Sequence, residues 1–182
     1  MRIGNKEYKL GERTYIMGIL NVTPDSFSDG GKFNEIEAAV RQAKKLVEDG
    51  ADIIDVGGES TRPGAKYVTE EEEIKRVVPI IKAIKKELDV TISIDTYKSK
   101  TAEEAIKAGA DIINDIWGAK YDKNIAKVAV KYNVPIILMH NREDKPYENL
   151  MEDVKKDLQE SIDIALNAGV KKENIILDPG IG

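Results

Sequence analysis

Apolar residues along the chain gather in short, nearly continuous runs, separated by longer stretches in which they recur every three or four positions. The runs are Tyr15–Leu20, Asp52–Val56, Thr91–Ile94, Asp111–Ile113, Pro135–Met139 and Asn174–Leu177. Rich in Ile, Val and Leu, they predict parallel strands buried on both faces. Between them, Ala39, Ala43, Leu46 and Val47 keep helical spacing, as do Ala102, Ala105 and Ile106. Helices are predicted near Ile36–Glu48, Glu70–Leu88, Lys98–Ala108, Lys123–Tyr132 and Glu148–Ala168. The helix-to-strand step repeats: Gly50-Ala51-Asp52-Ile53-Ile54-Asp55 returns as Gly109-Ala110-Asp111-Ile112-Ile113-Asn114-Asp115, and more loosely from Gly169 to Asp178. Each copy puts a glycine where a left-handed helix cap belongs. The alternating segment Arg2–Leu10, with a turn near Asn5, reads as a small β-hairpin closing the bottom of the domain.

Alternating βα units without an antiparallel strand mean either a barrel or a doubly wound sheet. The first strand runs into Asn21-Val22-Thr23-Pro24, with no G-x-G-x-x-G fingerprint of the doubly wound fold. The expected fold is therefore an α/β, (β/α) TIM barrel with an N-terminal β-hairpin. A full barrel has eight strands over ~250 residues. With six strands read here, the expectation is an incomplete barrel, one domain over residues 1–182 lacking the last two strands.

Composition narrows the partners. Hydrophobic residues make up 41% and charged residues 34%, the balance of a folded globular domain. A net charge of −5 disfavours nucleic acid and anionic membranes as partners. No apolar run approaches the ~18 residues of a membrane span, and Met1–Glu7 has no apolar leader core; a cytoplasmic location is expected. With no cysteine, disulfides, thiolate metal sites and cysteine nucleophiles are excluded.

Candidate chemistry lies at the strand ends, where barrels of this type build their sites. In order these carry Asn21, Asp55, Asp95, Asn114 with Asp115, His140 and Asp178. Any one of them alone is open to reading as a helix cap. Together, on the rim of one fold, they point to function. His140, the only histidine, reads more readily as a supporting residue than a catalytic one. The acidic run Glu70–Glu73 suits the first turn of a helix.

Two loops carry a family signature: Asn21-Val22-Thr23-Pro24-Asp25-Ser26-Phe27-Ser28-Asp29-Gly30-Gly31 and Asp55-Val56-Gly57-Gly58-Glu59-Ser60-Thr61-Arg62-Pro63-Gly64. With Ser93-Ile94-Asp95-Thr96, Asn114-Asp115 and Asp178-Pro179-Gly180, the pattern resembles the dihydropteroate synthases. The resemblance implies a transferase of folate biosynthesis that joins 6-hydroxymethyl-7,8-dihydropterin pyrophosphate to p-aminobenzoate. It implies that Asp95, Asn114 and Asp178 line the pterin pocket and serve catalysis, and that Asn21 helps hold a Mg²⁺ on the pyrophosphate. Thr61 and Arg62 would then bind substrate, Phe27 and Pro63 would wall the p-aminobenzoate slot, and Met139 would lie on a pterin face or simply in the core. The segments Val22–Lys32 and Glu59–Ala65 are expected to be mobile. The family pattern continues past Gly182 with a lysine and an Arg-His pair, so residues 1–182 alone are expected to bind pterin weakly and not to turn over. The expected partners are the two substrates, and a homodimer or a C-terminal segment completing the barrel. Two alternatives stay open: a methyltetrahydrofolate-binding methyltransferase of the same pterin-binding kind, and an inactive barrel acting as a subunit. The two long loops resemble the synthases rather than the methyltransferases.

Overall fold

Glycine punctuates the chain as its repeat requires. Gly50, Gly109 and Gly169 take φ of 107°, 119° and 102°, the left-handed turn that ends a helix and delivers the chain to the next strand. Asn133 does the same at φ 49°. The computed structural model describes residues 1–23, 31–60, 67–142 and 146–181.

The elements in order are β1 (Arg2–Ile3), β2 (Lys6–Glu7), β3 (Met17–Asn21), α1 (Gly31–Glu48), β4 (Ile53–Gly57), α2 (Glu70–Glu87) and β5 (Thr91–Asp95). They continue with α3 (Ser99–Ala108), β6 (Ile112–Asp115), α4 (Asn124–Tyr132), β7 (Ile136–Met139), α5 (Leu150–Ala168) and β8 (Ile175–Asp178). Strands β3 to β8 form one parallel sheet in sequential order, the arrangement of successive right-handed βα units. Among the described residues its outer strands, β3 and β8, have no further neighbour.

Strands β4 to β7 are buried on both faces, as the unbroken apolar runs predict, whereas the edge strands leave Ile19 and Leu177 exposed. On the outer face Leu20, Ile54, Val56, Ile92, Ile94, Ile113 and Leu138 pack against Ala39, Ala43, Val77, Ile81, Ala102, Ala129 and Ala165 of the helices. The small alanines let helix backbones approach the sheet closely. On the inner face, at the strands' amino ends, Ile53, Ile112 and Ile137 meet Ile3 and Tyr8. The β1–β2 hairpin therefore plugs the barrel's floor, and the Tyr8 hydroxyl donates to Thr91 Oγ1 at 2.7 Å.

Predicted boundaries shift in a consistent direction. Each strand of the sheet includes the polar or glycine residue beyond its apolar run, except β7, because backbone pairing extends to Asn21, Gly57, Asp95, Asp115 and Asp178 whatever their side chains. Helix α1 starts at Gly31, five residues before Ile36, where apolar spacing begins. Helix α2 runs unbroken through Pro79, which sits on its exposed side.

Candidate active site at the strand ends

Side chains alternate across the sheet, so the inner face above the apolar floor is set by parity. Two residues beyond Ile53, Thr91 and Ile112 come Asp55, Ser93 and Asn114, and beyond Ser93 comes Asp95. The same parity places Asn21 two residues past Ile19, Met139 past Ile137 and Asp178 past Ile176. Strand register aligns Asn21, Gly57, Asp95 and Asn114 side by side, and pairs Met139 with Asp178. A Cβ at Gly57 would lie 3.2 Å from Asp95 Oδ2 and 3.5 Å from Asn21 Oδ1. Glycine there keeps open the space between those two side chains.

The inner face is polar but under-paired. Asn114 Nδ2 donates to Asp55 Oδ2 at 3.0 Å. Among the described residues, Asp55 Oδ1, Ser93 Oγ and Asp95 Oδ1 are buried without a hydrogen-bond partner. Buried polar atoms left unpaired are costly, so each calls for an explanation, such as an ordered water, an ion or a ligand that completes the pairing. Burial pushes the Asp55 carboxyl up; nearby Ser93 and Asn114 offset part of this, although the Ser93 hydroxyl lacks hydrogen-bond geometry. Asp95 is pushed well above its usual range, first by burial and then by the charge of Asp55. At the rim, Asp178 Oδ1 accepts from the Gly180 amide at 2.8 Å, which braces the turn after β8.

Some expected residues fall elsewhere. Asp115 follows Asn114 by one position and therefore points to the helical layer. Fully buried, it accepts from the Trp117 and Ala119 amides at 2.8 and 2.7 Å and holds the turn after β6. Likewise, His140 turns away from the inner face, its Nε2 3.2 Å from Asp157 Oδ2 on α5. Asp55 lies a layer below the rim, two residues before the end of β4. Phe27, Thr61, Arg62 and Pro63, and the two segments expected to be mobile, fall mainly or wholly outside the described residues.

One cluster escaped sequence reasoning. Lys98 Nζ, 3% exposed in its side chain, donates to Glu59 Oε2 at 2.6 Å, Glu73 Oε2 at 2.8 Å and the Val68 carbonyl at 2.7 Å. Glu59 also accepts from Tyr97 Oη and from the Val68 amide, both at 2.9 Å. This buried network ties β4's exit to α2 and to the turn after β5. Glu73 looked like one more helix-end acid because nothing in its spacing tells it from Glu70–Glu72.

A metal finds little protein to hold it: among the described residues no group of three or more His, Asp or Glu could bind one. The carboxamide of Asn21, exposed at the rim, offers a single neutral oxygen.

Comparison with known proteins gives the site its context. The family model of pterin binding enzymes matches residues 17–182. The dihydropteroate synthase of Clostridium beijerinckii is 70% identical over 182 residues, all of this chain and 68% of that enzyme. That of Bacillus subtilis is 61% identical over 171 residues, 94% of this chain and 60% of that enzyme. A crystal structure of the Clostridium difficile dihydropteroate synthase, obtained in the presence of pteroic acid, matches with a TM-score of 0.93 and 55% identity. That match covers 97% of this chain and 67% of the other, so the chain spans about two thirds of such relatives. By its fold, by a family model running from Met17 to its last residue, and by relatives this similar, the chain belongs to the dihydropteroate synthase family of pterin-binding enzymes.

Proposed function

We propose that the inner strand ends hold the pterin of 6-hydroxymethyl-7,8-dihydropterin diphosphate while p-aminobenzoate displaces the diphosphate. The observation that supports this most is the group of buried acceptors without partners, on Asp55, Ser93 and Asp95. A pterin offers adjacent N–H donors on its 2-amino-4-oxopyrimidine edge, and a carboxylate accepts such a pair well. Asp95, Asn114 and Asp178 share the parity and strand-end position that suit this task, and Met139 beside Asp178 supplies an apolar contact for the ring.

In the reaction the arylamine lone pair forms a bond to the pterin methylene. The methylene C–O bond breaks, its electrons leave on diphosphate, and the amine then loses a proton to water. Positive charge builds on the pterin methylene as the leaving group departs, and Asp95 and Asp178 would stabilise it. An arylamine is already a usable nucleophile, so the site has no need of a strong base. Thr61 and Arg62 would hold the diphosphate, and Phe27 and Pro63 the p-aminobenzoate ring.

A Mg²⁺ fits as an ion carried by the diphosphate, since such ions keep several waters and take one or two protein oxygens. It would neutralise charge on the leaving group, with Asn21 as the described protein ligand. The open strands β3 and β8 would be covered by a second copy or by further chain, since unpaired strand edges invite pairing.

The test compares binding of 6-hydroxymethylpterin and of its diphosphate, with and without Mg²⁺. Asn21→Ala is expected to weaken the Mg²⁺-dependent gain for the diphosphate at least tenfold and leave pterin binding within threefold. Equal losses for both ligands would contradict the role given to Asn21.

A further inference from the structure

We propose that Asp55 is a positioning residue that decides which way round the Asn114 carboxamide meets the pterin. The proposal rests on the pterin reading above and adds a residue beneath the ligand-contacting set. Asp55 is 5% exposed and lies on β4, with β5 between it and Asn114 on β6. Its Oδ2 is 3.0 Å from Asn114 Nδ2. That oxygen accepts in this contact, so the amide's NH2 end faces it. The Asn114 carbonyl oxygen is then left for the ligand side, as an acceptor. Without that constraint the two amide orientations differ little in shape and compete.

The consequence is selectivity. With Asn114 held this way, its carbonyl and the carboxyl oxygens of Asp178 present acceptors to the inner face, beside the unpaired Asp95 Oδ1. A ring carrying an amino group at C2 supplies donors to such a set. A ring carrying an oxo group at C2 brings an acceptor against acceptors, which is repulsive, and burial raises the penalty. Asp55 therefore sets the preference for 2-amino over 2-oxo pteridines without touching either.

Asp55→Asn is the discriminating substitution. It keeps the side chain's shape and removes a buried charge, so the fold is retained. An amide at 55 pairs with either orientation of Asn114. Calorimetric titration with 6-hydroxymethylpterin and with 6-hydroxymethyllumazine, its 2-oxo counterpart, should show the preference for the pterin falling at least tenfold in Asp55→Asn. In unliganded wild-type protein the Asn114 side-chain amide protons should exchange with solvent at least tenfold more slowly than in Asp55→Asn, read by NMR. Asp55→Ala should match Asp55→Asn in both readouts and serves if the first variant is poorly behaved. A folded variant that keeps its preference within twofold, or amide exchange that is the same with and without Asp55, overturns the proposal. A wild-type protein that binds neither pteridine overturns the pterin reading instead, and the exchange measurement still decides the role of Asp55.

Discussion

Asn114 and Asp115 are neighbours in sequence and opposite in role, because a strand turns successive side chains to opposite faces. One faces the barrel interior; the other, fully buried, caps the turn leading to α4. The polar strand ends were legible in the sequence, but their direction was not. Asp115 and His140 group with the rim by standing at a strand's end, a position that does not by itself show which face a side chain takes. Asp115 makes this testable. Burial pushes its carboxyl up to about 6, against two backbone amides that favour the charged form. A carboxyl raised in the folded state binds its proton more tightly there than in the unfolded chain. Its contribution to stability is thus full below the unfolded value, near 4, and lost as pH rises through about 6. A carboxyl carbon NMR titration of Asp115 should give a midpoint near 6; a midpoint at or below 4 would show the two amides winning over burial.

At the scale of elements, apolar runs and helical spacing were enough to place the six strands of the sheet and the five α-helices among the described residues, with the glycine cap recurring before β4, β6 and β8. The hairpin was legible too, from the alternation in Arg2–Leu10. Tyr8→Phe removes its hydroxyl contact with Thr91 and should cost about 1 kcal/mol in urea unfolding. An unchanged midpoint would mean the plug is held by apolar contact alone. The Lys98 network was not legible, since Glu59, Glu73 and Lys98 are far apart in sequence and sit in segments already rich in charge. Lys98→Met would leave two buried carboxylates without their cation. The expected loss is about 3–5 kcal/mol, the usual result of breaking a buried ion pair from one side. A loss under about 1 kcal/mol would show that the carboxylates take up protons or water at little cost.

Over the whole molecule, the apolar floor, the polar layer above it and the strand-end rim form a sequence of levels along the barrel axis. Hydrophobic patterning predicts the first, and resemblance to a family supplies the meaning of the last. The middle level, where Asp55 holds Asn114, appears only when register brings β4, β5 and β6 together. The central claim is that the inner strand ends recognise a pterin. Calorimetric titration of this chain with 6-hydroxymethylpterin, beside Asp95→Ala and Asp178→Ala, tests it most directly. The wild-type chain should bind, and each variant should lose about 1.5–3 kcal/mol, the worth of a hydrogen bond to a charged group. Folded variants that bind as well as wild type would contradict the account.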